Sequence, residues 1–245
     1  MKIPVELEMN ACVQAFGGEL GENLRPTVNS PKNADYVFRK DDVVAELKCL
    51  ENNLFNASHA RKLSILVQDW ARQRLLPPVY GTTVMDIDLR SLPELCRQQW
   101  VGIMEKPVKR VLEEANKQIK FTKQFLNLST AKGVLLLVNE GVPLPPQNVM
   151  YLVHEVLKSR KEDKTPIFSS IDWIALFSVN RPMRLTAEQR VSHYWLPAYR
   201  ELSDPKAADF LERFRDCWIQ HFGKLVGVPI ETRRLGKSDI DAISL

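Results

Sequence analysis

The sequence predicts an α/β domain built around a mixed β-sheet. Two continuous apolar runs, at 133–140 and 170–179, are typical of strands that helices cover on both faces. Apolar residues at helical spacing lie before, between and after these runs and predict helices. A short hairpin at 35–50 precedes both runs, and this order of elements favours parallel and antiparallel strands in one sheet.

The first half of the chain contains most of the predicted elements. They are a helix at 4–16, strands at about 35–39 and 43–50, a helix from 56 or 58 to about 75, a strand at 83–90, and helices in 91–101 and 106–128. Pro4 suits a first helical turn, Gly17 suits a helix end, and either Asn56 or Ser58 can cap the second helix. Residues 19–32 are polar with two prolines, so we expect mostly loop with room for one short strand.

The second half continues the alternation of strands and helices. A strand at 133–140, a helix opened by Pro145-Pro146, a strand at 170–179 and a helix at 205–222 follow in order. Asp204-Pro205 combines a capping residue with a first-turn proline, which is a strong helix start. The charged segment at 231–245 is expected to be loosely held.

Composition excludes several classes of protein. The chain has 245 residues, 44% of them hydrophobic, with a net charge of +4, so a sizeable core is expected and nucleic acid is permitted as a partner. We expect no membrane span and no secretion signal, and therefore a cytoplasmic protein. The scattered cysteines Cys12, Cys49, Cys96 and Cys217 indicate neither a zinc site nor a disulfide framework. Cys12 and Cys49 are predicted to be small core residues.

The strand "VVAELKCL" at 43–50 carries an unusual pair of charges. Side chains alternate along a strand, so Glu46 and Lys48 share one face while the opposite face is wholly apolar. Asp35, on the partner strand, can approach the same point. Buried charges are costly unless they pair or bind a metal, and Mg²⁺ prefers oxygen ligands of this kind. A different interpretation is a simple Glu46–Lys48 pair on a solvent-exposed strand face.

An acid at one strand start, followed by acid-x-lysine on the next strand, resembles the PD-(D/E)xK nuclease superfamily. The residues that carry the resemblance are Asp35, Glu46 and Lys48, with Ala34 where the motif has proline. The resemblance implies a restriction-endonuclease-like fold and Mg²⁺- or Mn²⁺-dependent cleavage of nucleic acid, DNA more than RNA. It also implies that Asp35, Glu46 and the carbonyl of Leu47 bind the metal, and that Lys48 orients or activates the attacking water.

The same resemblance implies a glutamate ligand on the first helix, where Glu6 and Glu8 are both candidates and spacing slightly favours Glu6. It gives a nuclease-like core at 1–140 with a helical insertion at about 51–104, followed by a C-terminal extension at 141–245 packed on the same sheet. The helix at 56–75 is the alternative core helix. A non-catalytic nucleic-acid-binding or structural protein is the alternative function, and a homodimer or a larger protein complex both remain open.

Other polar residues are weaker candidates. Gln118 and Lys120 could reach the site from the long helix. The basic residues that could follow a phosphate backbone are Arg61, Lys62, Arg72, Arg74, Lys106, Lys109, Arg110, Lys117, Lys120, Lys123, Arg233, Arg234 and Lys237. The long helix is better explained as an amphipathic helix with a solvated face. The four histidines lack metal-ligand spacing, and the aromatic segment at 192–199 is more typical of packing than of base stacking.

Overall fold

A six-stranded β-sheet forms the centre of the protein. The computed structural model describes residues 2–24, 32–51, 54–76, 89–142, 144–180, 193–199, 205–227, 230 and 232. The strands are β1 (Glu19–Leu20), β2 (Tyr36–Phe38), β3 (Val43–Leu50), β4 (Lys132–Asn139), β5 (Trp173–Phe177) and β6 (Trp195–Tyr199), and they lie in the sheet in chain order. The α/β class and the mixed sheet predicted from the sequence are confirmed.

The sheet combines a parallel centre with antiparallel edges. β3, β4 and β5 pair in parallel, whereas β1, β2 and β6 pair with their neighbours in antiparallel fashion. Parallel neighbours need long crossover connections, and the helices supply them. Residues 134–138 of β4 are at most 1% exposed, as expected for a strand covered on both faces.

Helices cover both faces of the sheet. They are α1 (Val5–Phe16), α2 (Ala57–Arg72), α3 (Glu94–Phe125), α4 (Pro146–Leu157) and α5 (Pro205–Val226). α3 packs on β3 and contacts both α2 and α4, while α1 and α5 contact each other across the opposite face. Successive side chains of β3 point to opposite faces of the sheet, so β3 contributes to both apolar cores. Val44 belongs to the core beneath α3, and Val43 belongs to the core beneath α1 and α5.

Local signals placed most helix ends correctly. The N–H of Gly17, in the left-handed region at φ 93°, donates to the carbonyls of Val13 and Gln14 and ends α1. The side chain of Asn56 accepts hydrogen bonds from the N–H groups of Ser58 and His59, which makes Asn56 the cap of α2.

Two predicted helices are one element. The sequence predicts separate helices in 91–101 and 106–128, but α3 runs unbroken through Pro107. Proline normally breaks a helix interior because it removes one hydrogen bond. Trp100 and Met104 before the proline and Val108 and Leu112 after it are buried on one continuous apolar face, and this packing carries the helix across the proline.

Two further expectations are corrected at strand ends. Cys49 is exposed rather than buried, because the apolar cluster beneath that face of β3 ends at Leu47. The strand predicted at 83–90 lies outside the described residues except for its last two, which belong to the short 3₁₀ helix Leu89–Ser91. The segment at 231–245, predicted to be loosely held, also lies outside them apart from residue 232.

None of the helices in the described ranges is both long and apolar enough to cross a membrane.

Candidate active site

The β2–β3 hairpin brings Asp35 next to Glu46. Tyr36 pairs with Ala45 in an antiparallel register, and continuing that register by one residue places Asp35 opposite Glu46. Residues that oppose each other across antiparallel strands project to the same face of the sheet. The hairpin therefore sets these two acidic side chains side by side.

Two hydrogen bonds in opposite directions hold the acidic pair. The backbone N–H of Asp35 donates to Glu46 Oε2 at 3.1 Å, and the backbone N–H of Leu47 donates to Asp35 Oδ2 at 2.9 Å. The carbonyl and the N–H of one residue point to the same side of an extended strand, so the Leu47 carbonyl is directed toward the β2 side of β3. The two carboxylates thus lie together at the start of β2.

Glu46 is buried completely. Its side chain is 0% exposed, which contradicts the interpretation of Glu46 and Lys48 as a pair on a solvated face. Burial, reinforced by the negative charge of Asp35, raises the pKa of Glu46 to about 8, although Lys48 opposes the shift. Glu46 Oε1 lies 2.9 Å from the Lys48 ammonium but makes no hydrogen bond of good geometry.

Lys48 is surrounded by oxygen acceptors. Its ammonium lies 2.9 Å from Glu46 Oε1 and donates to Glu114 Oε1 and Gln118 Oε1, each at 2.8 Å. The side chain is 15% exposed. Burial lowers the pKa of Lys48, but the carboxylates of Glu46 and Glu114 outweigh this effect, so the net pKa lies above its usual value. Lys48 therefore stays protonated in this setting.

Two side chains of α3 hold the backbone at the start of β2. Thr122 Oγ1 accepts a hydrogen bond from the N–H of Ala34 at 2.7 Å, and Gln118 Nε2 approaches the carbonyl of Asn33 at 3.4 Å. Both α3 side chains are buried. These contacts satisfy backbone groups just before Asp35 that the sheet leaves unpaired, and so they position the acid.

Sequence reasoning found part of the α3 contribution. Gln118 reaches the site, whereas Lys120 is exposed and lines a different depression together with Lys123 and Ser170. The sequence motif does not include Glu114, which also contacts Lys48. The signal that identifies it is its spacing, since residues four apart share one face of a helix and Glu114 lies four before Gln118.

The two candidate glutamates of α1 differ in their surroundings. Glu8 Oε2 lies 2.9 Å from His221 Nε2 on α5, which directs Glu8 away from the hairpin. Glu6 is exposed and close enough to Tyr36 that its charge, after burial and Asp35, helps to raise the pKa of that phenol. Glu6 is therefore the α1 acid whose charge acts on a residue of the hairpin.

The carboxylate oxygens that lie together at this point are those of Asp35 and Glu46. Within the part of the chain that the structure describes, His, Cys, Asp and Glu side chains form no group of three or more arranged around a metal position. Mg²⁺ is usually bound through one or two carboxylates, with water and substrate oxygens completing its shell.

The basic candidates have different environments. Lys123 is only 14% exposed; its ammonium pairs with Asp172 at 3.3 Å and approaches the Ser170 carbonyl, so it belongs to the fold rather than to a solvated stripe. Lys32 is mostly exposed and lies 3.7 Å from Asp35 Oδ1. The basic candidates on α2, Arg61, Lys62 and Arg72, are exposed, and Arg72 pairs with Asp69. Arg74, just after α2, is exposed as well. Arg233, Arg234 and Lys237 lie outside the described residues.

The aromatic segment near residue 195 packs inside the protein. Trp195 in β6 stacks on Phe177 in β5, with ring centroids 4.8 Å apart. His193 packs edge-on against Phe222 of α5. The segment contributes to the core beneath α5, as the sequence favoured.

Comparison of the chain with protein-family models, with curated proteins and with solved structures finds no match.

Proposed function

We propose that the protein is a divalent-metal-dependent nuclease that hydrolyses phosphodiester bonds, with DNA favoured over RNA, and that its fold is restriction-endonuclease-like. The proposed site consists of Asp35, Glu46 and Lys48. The observation that carries the proposal is the full burial of Glu46 beside a second carboxylate.

The arrangement of the two acids is costly without a cation. A buried carboxylate is disfavoured, and a second carboxylate beside it raises the cost further. Lys48 offsets part of this cost at 2.9 Å, yet Glu46 Oε1 still lacks a well-aligned hydrogen bond. A divalent ion would neutralise both acids at once, and this fit supports a metal site.

Asp35, Glu46 and the Leu47 carbonyl would hold Mg²⁺ or Mn²⁺, with Glu6 as the candidate acid on α1. The chemistry that such an ion supplies is charge neutralisation at the phosphate and a lower pKa for water. Lys48 would orient the attacking water by donating a hydrogen bond to it, and would stabilise negative charge developing on the phosphate oxygens. Gln118 positions Lys48 for both tasks at 2.8 Å.

Exposed cations on the described surface support a nucleic acid substrate. Lys32 lies beside Asp35, and Arg61 and Lys62 are exposed on α2. Contacts between such side chains and backbone phosphates supply most of the sequence-independent affinity for nucleic acid.

The test is cleavage of linear, circular, branched and single-stranded DNA, and of RNA, with Mg²⁺ and with Mn²⁺. Lys48→Ala should lower the cleavage rate by about 10²–10³ while leaving binding mostly intact, because one lysine is a small part of the phosphate contacts. Asp35→Asn should be at least as severe because it removes a metal ligand. Lys224→Ala, which removes an exposed lysine from α5 on the opposite face of the sheet, is the matched control and should cleave normally.

Equal cleavage by wild type and Lys48→Ala would show that the activity belongs to another site. Binding without cleavage by the wild type would favour a non-catalytic nucleic-acid-binding protein. One observation favours that second candidate: Lys48 contacts three oxygen acceptors within the protein, as a lysine in a structural ion network does.

A further inference from the structure

Three oxygen atoms of the protein surround the Lys48 ammonium in the free protein. An ammonium group carries three N–H donors. Two of them donate to Glu114 and Gln118 at 2.8 Å, and Glu46 Oε1 occupies the third side at 2.9 Å. If Lys48 is to contact a phosphate or a water, one of these acceptors has to leave.

Glu114 is the acceptor that can leave. Its side chain is 63% exposed, whereas Glu46 is fully buried on the same strand as Lys48. Gln118 is buried on the sheet-facing side of α3. Gln118 also approaches the Asn33 carbonyl, so moving it would disturb the start of β2. Exposed ion pairs contribute little because ordering two long side chains offsets most of their attraction. The Glu114 contact is thus the weakest of the three.

We propose that Lys48 is a phosphate subsite and that Glu114 occupies it in the free protein as a displaceable carboxylate. The proposal rests on the proposed function for the identity of the substrate, a phosphodiester. A non-bridging phosphate oxygen carries the same kind of charge and accepts the same hydrogen bond as the Glu114 carboxylate. Lys48 is therefore neutralised before and after the exchange, and the released Glu114 side chain enters solvent.

The exchange has a measurable consequence for affinity. Nucleic acid has to break the Glu114–Lys48 pair before it reaches Lys48, so removing the carboxylate charge should tighten binding. The interaction free energy of an exposed ion pair of this kind corresponds to a change of about 2–5-fold in the binding constant. Glu114→Gln keeps the side-chain volume and removes the competing charge, and its exposed position makes loss of folding unexpected.

Glu113→Gln is the matched control. It removes the same charge one residue away on α3, but it lies on a different flank of the helix because successive residues are rotated by about 100°. A gain in affinity that comes only from reducing negative charge near the phosphate backbone should appear in both variants. A gain in affinity that comes from freeing Lys48 should appear only in Glu114→Gln.

The first experiment measures binding of a labelled oligonucleotide by fluorescence anisotropy at fixed salt with EDTA present. Glu114→Gln should bind about 2–5-fold more tightly than wild type, with Glu113→Gln close to wild type. The gain should disappear when Lys48→Ala is combined with Glu114→Gln, because the two residues act through one contact. Equal effects of the two glutamine variants, or a gain that survives in the Lys48→Ala background, would overturn the proposal.

A second experiment separates this inference from the proposed nuclease activity. The rate at which an amine-acetylating reagent modifies Lys48 is followed by mass spectrometry, with inorganic phosphate or chloride at matched ionic strength. Phosphate should protect Lys48 in Glu114→Gln at a several-fold lower concentration than in wild type or Glu113→Gln. Equal protection in all three proteins, or none, overturns the subsite whether or not the protein cleaves nucleic acid. Protection as expected with no cleavage would leave the subsite standing and reject the nuclease.

Discussion

Asp35 and Glu46 are joined by a reciprocal pair of hydrogen bonds across the β2–β3 hairpin. The N–H of Asp35 donates to Glu46, while the N–H following Glu46, that of Leu47, donates to Asp35. Each acid therefore accepts a backbone hydrogen bond from the other strand. The geometry of the pair is thus built into the hairpin, and the contacts of Thr122 and Gln118 with the residues just before Asp35 support it from α3.

Replacing Glu46 should change how stability depends on pH. The pKa of Glu46 in the folded protein, about 8, lies above its usual value of 4.5. The folded state therefore binds an extra proton between these values, and stability decreases as the pH rises through this window, by at most about 1.4 kcal/mol per pH unit. Urea unfolding of Glu46→Gln should lack this decrease. Glu162→Gln, at an exposed turn, should retain it; an unchanged slope in Glu46→Gln would contradict the raised pKa.

Metal binding should strengthen as the pH rises. A carboxylate has to be deprotonated to bind a metal, and the raised pKa keeps Glu46 largely protonated below about pH 8. Calorimetric titration with Mn²⁺ should give an affinity that increases from pH 6 to pH 9, with proton release on binding. Asp35→Asn should abolish the heat at every pH, and a pH-independent affinity would exclude Glu46 as a ligand.

The two acids of α1 should differ in the same titration. Glu6→Gln should weaken Mn²⁺ binding, because the charge of Glu6 acts on Tyr36 in strand β2 of the hairpin. Glu8→Gln should leave the affinity unchanged, since Glu8 pairs with His221. The reverse order of effects would assign the ligand to Glu8.

Gly21 should tolerate no side chain. A Cβ at Gly21 would lie 1.8 Å from the carbonyl oxygen of Ala34, so the backbone beside Asp35 would have to move. Gly21→Ala should destabilise the protein by about 1–3 kcal/mol. Gly102→Ala, on α3 with nothing within 4 Å of the added atom, should stabilise it by about 0.5–1 kcal/mol. Thermal unfolding of both variants measures these changes. Similar changes in stability for the two variants would contradict the close approach of Gly21 to the Ala34 carbonyl.

Thr122 should contribute through its hydroxyl rather than its volume. Thr122→Val keeps the shape but leaves the buried N–H of Ala34 without the acceptor that lies at 2.7 Å. The expected loss is about 1–3 kcal/mol in chemical denaturation. Thr130→Val, at an exposed position after α3, should change stability by less than about 0.5 kcal/mol. Equal losses would mean that the hydroxyl is not the cause.

The sequence by itself determined the hairpin and the common face of its charges. Strand alternation puts Glu46 and Lys48 on one side of β3, and Gly17 marks the end of α1 through its own backbone preference. These features depend only on residues a few positions apart, so a single sequence is enough to predict them.

Only the tertiary structure decided what surrounds the charges. The contacts of Lys48 with Glu114 and Gln118 join residues 66 and 70 positions apart, and the same packing carries α3 across Pro107. Tertiary packing also buries Glu46, and it leaves Cys49 exposed because the apolar cluster on that face of β3 extends only as far as Leu47. No local period encodes the depth of a strand or the register of a distant helix, because both follow from how the apolar faces of α3 and the sheet pack together.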